Sequence, residues 1–435
     1  MRTLAAMRIA VAAALMLLAS CGGAPINDFG SATPTERACA PGQQIECGCS
    51  GGAPKGVQSC RADGSGYDVC ACSANVDAGA AGEGDAATSD GAGPVIGPDA
   101  GGGGSDARPC FGSLDSDSEN CGACGHSCLG SACQAGVCAF VELASKQVVP
   151  SGLAVGDGAV FWTTEGADPD YVGNVFALSL SDPTAIPTVI ATSQKYPRAL
   201  TFADGALYWG SYGDGAIGKW TATTGTSDLG VAPSGRFYNV VADSAHVYFA
   251  MEVDHPNMPS SGAVARCPLD GCRGAPEIVA TSDAKIIGLA IDGGALFWSV
   301  FSSNGAIYRL TLDGASSPRA IALGQAVPLN VAAFGGFVYW VNAGSGTVAR
   351  VSADAVGATP TILASNQPSP SGIAADDRGV YWTTSTRTGQ VMKLAHGTST
   401  PLVLASGQPS PGNVRIDADY AYWTTGDGSI RRVPK

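Results

Sequence analysis

The sequence has few of the residues that usually cover exposed helices. Only 14% of its 435 side chains are Asp, Glu, Lys or Arg. Glycine and proline are frequent instead, with 60 and 26 copies, and they bound many short runs of β-branched and aromatic residues. This pattern is typical of an all-β protein and argues against a helical one.

Basic charge is also scarce, since the sequence has 24 Lys and Arg but 37 Asp and Glu. Residues 22–138 hold fourteen acidic and four basic side chains, whereas residues 139–435 hold twenty-three and eighteen. The net charge of −13 therefore arises mostly from the short N-terminal part and not from the much longer remainder. A nucleic-acid-binding protein needs a basic surface, so we expect no nucleic-acid partner.

Long apolar runs are missing after the N-terminus. There, Arg2 and Arg8 are followed by the ten-residue run Ile9–Leu18, which is too short to span a bilayer. This arrangement predicts an export signal over residues 1–20. The next residues, Leu18-Ala19-Ser20-Cys21, resemble the lipobox of bacterial lipoproteins.

The lipobox resemblance implies that Cys21 becomes the lipidated N-terminus and anchors the chain to a membrane. Because Gly22 stands where inner-membrane retention often uses Asp, the resemblance favours the outer membrane of a Gram-negative-type envelope. The protein would then face either the periplasm or the cell surface. The alternative is an ordinary signal peptide that happens to end near a cysteine.

Cysteine usage agrees with export, because fourteen cysteines remain once Cys21 is set aside. An even number in an oxidising compartment indicates disulfides. The cysteines form three even sets: Cys39, Cys47, Cys49, Cys60, Cys70 and Cys72; Cys110, Cys121, Cys124, Cys128, Cys133 and Cys138; Cys267 and Cys272.

Composition divides the exported chain into five segments. Small cysteine-rich units have little apolar core, so they depend on disulfides for their fold. A stretch of Gly, Ala, Asp and Ser buries too little apolar surface to offset the conformational entropy that is lost on folding. The segments are a tether (21–38), a first cysteine-rich module (39–72), a disordered linker (73–109), a second cysteine-rich module (110–138) and a main domain (139–435).

The second module resembles the cysteine-rich stigma-specific Stig1 family in the run from Asn120 to Cys128 and in Gly136-Val137-Cys138. That resemblance implies a disulfide-stapled extracellular module without enzyme activity. Cys121, Cys124, His126 and Cys128 also have zinc-like spacing. Six cysteines in an oxidising compartment favour disulfides over a metal, so no metal site is expected here.

The main domain is a repeat. An aromatic pair recurs seven times, with 47, 40, 49, 42, 42 and 41 residues between successive second members. Ten residues before each second member stands a Gly, Ala or Asn. The pairs are Phe161-Trp162, Tyr208-Trp209, Tyr248-Phe249, Phe297-Trp298, Tyr339-Trp340, Tyr381-Trp382 and Tyr422-Trp423.

Each repeat accommodates four short strands, which with this period is typical of a β-propeller blade. The seventh repeat ends at Lys435 after three strands, and the run Phe140–Ser145 matches the fourth strand of the sixth repeat. We therefore predict seven blades, with the N-terminal strand completing the last one and removing an open sheet edge.

The repeats resemble the propeller group that includes YWTD, NHL and TolB-like repeats, in Phe161-Trp162-Thr163-Thr164, Tyr381-Trp382-Thr383-Thr384 and Tyr422-Trp423-Thr424-Thr425. Thr stands where YWTD repeats have Asp, and YWTD domains have six blades. The resemblance therefore implies the architecture and no particular ligand. Cys267 and Cys272 flank a turn of the third blade and predict a hairpin disulfide.

The candidate binding site lies on the upper face, which we define as the face formed by the interblade loops and the loops between second and third strands. Two of the latter are predicted to be long, at Thr164–Gly173 and Ala250–Gly262. Charged and aromatic residues together suit a protein, peptide or glycan. The predicted ligand-binding residues are Tyr171, Tyr196, Arg236, Glu252, Asp254, His255, Lys285 and Arg387.

The sequence thus favours a monomeric, lipid-anchored binding module that is not an enzyme and uses no cofactor or metal. One alternative is a propeller enzyme, a metal-dependent lyase or a lactone hydrolase, with Glu252, Asp254 and His255 as candidates. No Gly-x-Ser-x-Gly nucleophile motif is present. The other alternative is a structural scaffold of the envelope.

Overall fold

The computed structural model describes residues 44–47, 56–59, 113–182, 184–231, 235–253, 261–272 and 274–435. The predicted signal, Cys21 and the predicted linker at 73–109 lie outside these residues. The chain divides into two compact units, Met1–Asp90 and Gly91–Lys435. In the first unit, strands β1 (Gln44–Cys47) and β2 (Gly56–Ser59) pair antiparallel.

The second unit contains seven four-stranded antiparallel sheets, the predicted blades. It begins with β3 (Cys133–Gln134), β4 (Val137–Cys138) and β5 (Val141–Ala144). Blade 1 consists of β6 (Pro150–Gly156), β7 (Ala159–Thr164), β8 (Val172–Ser179) and β9 (Thr188–Lys195). Blade 2 consists of β10 (Pro197–Ala203), β11 (Ala206–Ser211), β12 (Ala216–Thr221) and β13 (Gly225–Val231). Blade 3 consists of β14 (Gly235–Ala242), β15 (His246–Val253), β16 (Gly262–Pro268) and β17 (Glu277–Ser282).

The remaining blades follow the same order. Blade 4 consists of β18 (Ile286–Asp292), β19 (Ala295–Val300), β20 (Gly305–Thr311) and β21 (Arg319–Gln325). Blade 5 consists of β22 (Pro328–Phe334), β23 (Phe337–Asn342), β24 (Thr347–Ser352) and β25 (Thr361–Ala364). Blade 6 consists of β26 (Pro370–Ala375), β27 (Gly379–Thr384), β28 (Gly389–Ala395) and β29 (Leu402–Gln408). Blade 7 consists of β30 (Val414–Ile416), β31 (Tyr420–Thr424), β32 (Ile430–Pro434) and β5.

Blade 7 closes the ring as predicted. Strand β5 pairs antiparallel with β32, and Glu142 lies opposite Arg431. The Arg431 guanidinium contacts the carboxylates of Asp427 at 2.9 Å and Glu142 at 3.3 Å, and it lies over the ring of Phe140. Strand pairing and this charged contact therefore join the N-terminal strand to the last blade, which leaves no free edge between blades 7 and 1.

The aromatic pairs form the core between blades. Neighbouring residues of a strand point to opposite sides, so the two rings of one pair enter different interfaces. Phe161 packs with Leu200 and Trp209 of blade 2, whereas Trp162 packs with Tyr422 of blade 7. These four aromatic side chains are almost fully buried. The repeat of the sequence is therefore a repeat of interblade packing.

A glutamine fifteen residues before the tryptophan provides a second repeated contact. The Trp162 Nε1–H donates to Gln147 Oε1 at 2.9 Å, and four further blades repeat this bond with Gln194, Gln325, Gln367 and Gln408. The same five blades have proline three residues after the glutamine. In these five blades the motif Gln-x-x-Pro therefore satisfies a buried indole donor at the turn from one blade into the next.

The threonine after the tryptophan joins neighbouring blades. The Gly372 N–H donates to Thr383 Oγ1 at 2.9 Å, and the Thr383 hydroxyl donates to the Gly412 carbonyl of blade 7 at 2.6 Å. A Cβ at Gly372 would lie 2.6 Å from that carbonyl oxygen, which explains the small residue at this position. Thr383, which matches the Thr of YWTD, is thus an interblade hydrogen-bonding residue, whereas Thr384, at the position of the YWTD aspartate, accepts from the Gln390 N–H at 2.9 Å within blade 6.

The second cysteine-rich module packs on the propeller. Disulfides join Cys121 to Cys133 and Cys128 to Cys138, and Cys124 is disulfide-bonded as well. The four cysteines of the first two bonds share a buried cluster with residues of blades 6 and 7, including Tyr381. Within residues 113–138 the structure thus shows the disulfides that the sequence favoured over zinc. None of the described residues forms a helix with the length and hydropathy that a membrane-spanning helix needs.

Candidate functional site

Three equivalent positions in every blade surround the mouth of the central channel on the upper face. They lie thirteen and eleven residues before, and three residues after, the second aromatic of each pair. The first and third positions are neighbours, because in five blades a backbone N–H of the third donates to a carbonyl of the first, as in Tyr212 to Tyr196 at 2.9 Å. Seven blades thus place twenty-one residues around one opening.

These positions differ sharply around the ring. Blades 5 to 7 carry aliphatic or small residues, whereas blades 1 to 4 carry nearly all large polar and aromatic ones. In blade order, the residues are Val149, Ser151, Glu165; Tyr196, Arg198, Tyr212; Arg236, Tyr238, Glu252; Lys285, Ile287, Phe301; Val327, Leu329, Ala343; Ser369, Ser371, Ser385; and Ser410, Gly412, Gly426. The charged and aromatic members in blades 1 to 4, together with Tyr171, are called the mouth cluster below.

Glu165 and Arg198 join blades 1 and 2. The Glu165 carboxylate is buried and lies 3.0 Å from Arg198 Nε, while the guanidinium stays partly exposed. Arg198 occupies a β-bulge in β10, where the pairing skips from Pro197 to Ala199. A bulge redirects a side chain out of the regular alternation, and here it turns an arginine towards the mouth. Burial and the Glu165 carboxylate raise the pKa of Tyr196.

Glu252 forms a second buried centre between blades 3 and 4. Its carboxylate accepts a 2.6 Å hydrogen bond from the Tyr238 hydroxyl and lies 3.1 Å from Lys285 Nζ and 3.8 Å from Arg236 Nη1. Tyr238 is also a bulge residue, in β14. Burial and the bond to Glu252 raise its pKa far above the usual range, so its hydroxyl remains a donor.

A row of tyrosine rings connects the two carboxylate centres. Tyr171 stacks on Tyr196 with centroids 5.0 Å apart, and Tyr196 meets Tyr212 edge to face at 5.1 Å. Tyr212 meets Tyr238 at 5.5 Å in the same manner. Arg198 lies over Tyr196 and Tyr212, at 5.4 and 5.6 Å from the ring centroids. Blades 1 to 3 therefore share one continuous aromatic and charged surface.

Below the mouth, asparagine side chains narrow the channel. Asn239 of blade 3 donates to Asn330 Oδ1 of blade 5 at 3.3 Å, and blade 4 between them has Gly288 at the equivalent position. Asn413 donates to the Ser151 carbonyl at 2.8 Å and so connects blade 7 to blade 1. The mouth cluster is thus the upper layer of a channel that is constricted beneath it.

The structure brings five of the predicted ligand-binding residues into the mouth cluster: Tyr171, Tyr196, Arg236, Glu252 and Lys285. Glu252 lies in strand β15, not in the predicted loop Ala250–Gly262, because it pairs with both Arg236 and Gly262. Arg387 is exposed in the turn between β27 and β28 of blade 6, away from the cluster. Asp254 and His255 lie outside the described residues.

Three members of the cluster were missing from the predicted set, namely Arg198, Tyr212 and Tyr238. One signal in the sequence could have indicated Tyr238, whereas Arg198 and Tyr212 lie in blade 2, which keeps the Gln-x-x-Pro motif. The Gln-x-x-Pro motif is absent from blades 3 and 4, where Ser234-Gly235-Arg236-Phe237 and Asp283-Ala284-Lys285-Ile286 stand in its place. The Gln-x-x-Pro motif is therefore missing from the two blades that contribute Arg236 and Lys285 to the mouth.

The described histidines of the propeller lie away from this mouth. His246 begins β15 and His396 follows β28, and both positions belong to the lower face. Among the residues that the structure describes, the one group with metal-like proximity is Cys121, Cys128 and Cys138, whose sulfurs are engaged in disulfides. The described part of the mouth thus offers carboxylates, cations and phenols.

No protein-family profile and no curated protein sequence matches this chain. Virginiamycin B lyase from Staphylococcus aureus superposes with a TM-score of 0.55 at 14% identity, over 68% of this chain and 98% of that one. A streptogramin B lyase gives 0.55 at 14% identity, over 68% and 96% of the two chains. The WD40 β-propeller domain of Doa1 gives 0.53 at 12% identity, over 68% and 97%. Since lyases and a WD40 domain superpose similarly at low identity, the comparisons show that this chain has a β-propeller fold, and they assign it no activity.

Proposed function

We propose that this chain is a lipid-anchored envelope protein whose propeller captures a polar ligand at the mouth cluster. The observation that carries the proposal is the asymmetry of the upper ring. Structural residues repeat around the propeller, but charged and aromatic residues concentrate in blades 1 to 4. A ring that served packing alone would need no such concentration, and convergent polar groups beside aromatic rings are typical of binding sites.

The N-terminal sequence supports display of this site outside the cytoplasm. The lipobox-like Leu18-Ala19-Ser20-Cys21 would provide the anchor, and the Gly- and Ala-rich segment 73–109 would act as a flexible spacer. Radiolabelled palmitate incorporation into the wild-type chain, but not into Cys21→Ser, tests the anchor. An unlabelled wild-type chain would contradict this part of the proposal.

Binding is tested with the full exported chain immobilised through its C-terminus and incubated with solubilised envelope material. We expect wild type to retain a component that Tyr171→Ala and Arg198→Met fail to retain. Arg378→Ala serves as the control, because Arg378 is exposed on the lower face. Equal retention by all four proteins would show that the mouth cluster is not the binding site. A stoichiometric metal in the purified chain would instead favour the metal-dependent enzyme.

A further inference from the structure

We infer that the mouth cluster binds a neutral glycan, using its acid–base pairs for the sugar hydroxyls and its aromatic rings for the C–H faces. This inference rests on the proposed function, because it assigns a ligand class to the same site. Three features of the cluster carry it: the pairing of charges, the position of the exposed rings and the small residues opposite them.

Each carboxylate of the cluster lies beside one or two cations. Glu165 is held by Arg198, and Glu252 is held by Lys285 and Arg236. Both carboxylates are buried, with 9% and 5% of their side chains exposed, while the cations above them reach solvent. A sugar hydroxyl donates and accepts a hydrogen bond at once, so a carboxylate beside a cation can satisfy both its roles. A site built only for anions would have no use for two buried carboxylates.

Two exposed aromatic rings flank these pairs. Tyr171 of blade 1 is 39% exposed and is held in place by stacking on Tyr196. Phe301 of blade 4 is 38% exposed, and its N–H donates to the Lys285 carbonyl at 2.8 Å. An aromatic side chain presents an apolar face at little entropic cost. Rings on both sides of a polar centre suit a chain of pyranose units, which alternate hydroxyl edges with apolar faces.

The opposite side of the mouth leaves room for such a ligand. Blades 6 and 7 carry Ser and Gly at all three positions, and Ser369, Ser410 and Gly426 are exposed. These residues have no bulky side chain to close the opening, and the serine hydroxyls add donors and acceptors. A peptide ligand would gain more from an exposed strand edge, and each blade presents its innermost strand to the channel with the outer strands behind it.

The test uses the full exported chain and isothermal titration calorimetry. The probes are three neutral hexasaccharides, of β-1,4-glucose, α-1,4-glucose and β-1,4-N-acetylglucosamine, together with an acidic polygalacturonate oligomer. We expect one or more neutral probes to bind, with affinity that changes little with salt because no net charge is neutralised. Tyr171→Ala and Arg198→Met should each weaken this binding about tenfold or more, and Arg378→Ala should leave it unchanged.

Absence of binding by all three neutral probes would overturn the inference, as would salt-sensitive binding of the acidic oligomer alone. Retention of an envelope protein through Tyr171 and Arg198 would also overturn the glycan assignment, but it would support the mouth as a binding site. If neither sugars nor envelope components depend on these residues, both the inference and the proposed function fail. Circular dichroism of each variant confirms that the propeller is folded.

Discussion

The Lys285 ammonium nitrogen lies 3.1 Å from Oε2 of the buried Glu252, so a residue that precedes blade 4 neutralises a carboxylate of blade 3. The Tyr238 hydroxyl lies between them, accepting from Lys285 at 3.1 Å and donating to Glu252 at 2.6 Å. This contact links the two blades that lack the Gln-x-x-Pro motif. A polar interblade contact is thus present next to the positions where the other blades have the Gln–Trp hydrogen bond, and it faces the mouth.

Glu252→Gln should destabilise the propeller by about 1–3 kcal/mol, because it leaves partly buried cations without their carboxylate. Urea unfolding monitored by tryptophan fluorescence measures the change. Glu277→Gln is the matched control, since Glu277 pairs with Arg266 but is largely exposed. Glu277→Gln should lower the free energy of unfolding by less than about 1 kcal/mol. Equal effects of the two substitutions would show that the buried pair has no special role.

Gln367→Leu should lower the free energy of unfolding by about 1–3 kcal/mol, because it leaves the Trp382 Nε1–H buried without its acceptor. The measurement is again urea unfolding. Gln134→Leu, at an exposed position of the cysteine-rich module, is the control and should have little effect. A Gln367→Leu protein as stable as wild type would mean that the repeated glutamine does not stabilise the interblade turn.

Arg431→Met should loosen the closure of the ring. It removes contacts with Glu142, Asp427 and Gln408, so we expect a loss of about 2 kcal/mol. Hydrogen exchange should accelerate in strand β5 more than in the outer strands of other blades. Arg350→Met in blade 5 is the control, since Arg350 lies over Phe337 far from β5 along the chain. Unchanged exchange in β5 would argue against a closing role.

Acid should release the cysteine-rich module from the propeller through His126. This side chain is buried, its Nδ1 lies 2.6 Å from the Cys121 carbonyl oxygen, and burial together with the nearby Lys393 charge lowers its pKa. A lowered pKa in the folded state means that stability is complete above the ordinary value of 6.5 and is lost as the pH falls below it.

Hydrogen exchange over residues 113–138 should therefore increase between about pH 7.5 and pH 5.5. His126→Gln should flatten this dependence because the glutamine does not titrate. The amides of blade 4, which lies away from the module, provide an internal reference for the intrinsic pH effect on exchange. Equal pH dependence in wild type and His126→Gln would remove His126 as the cause.

The sequence alone predicted the architecture well, and the reason is the repeat. The constant ten-residue spacing before the second member of every aromatic pair places each first strand beside its second. Because neighbouring residues of a strand point to opposite sides, the two aromatics enter different interfaces. For example, the run Phe140–Ser145, predicted to complete the last blade, contains the observed strand β5 (Val141–Ala144). The pairing of β5 with β32 followed from counting strands.

The candidate site was predicted only in part. Tyr196 and Lys285 were found because interblade loops meet on one face of any propeller. Arg198 and Tyr238 were missed because they occupy β-bulges, where the direction of a side chain departs from the alternation that the sequence displays. Arg387 was included on loop position alone, and it lies in a blade that contributes small residues to the mouth.

The amino-acid sequence by itself determined the number of blades, the faces of the aromatic residues and the closure of the ring, because all three follow from local periodicity and strand pairing. The tertiary structure decided which residues of separate blades meet: Glu165 with Arg198, and Glu252 with Tyr238 and Lys285. Such contacts depend on the curvature of the closed ring and on the direction that a bulge gives to each side chain, and the periodicity of the sequence specifies neither.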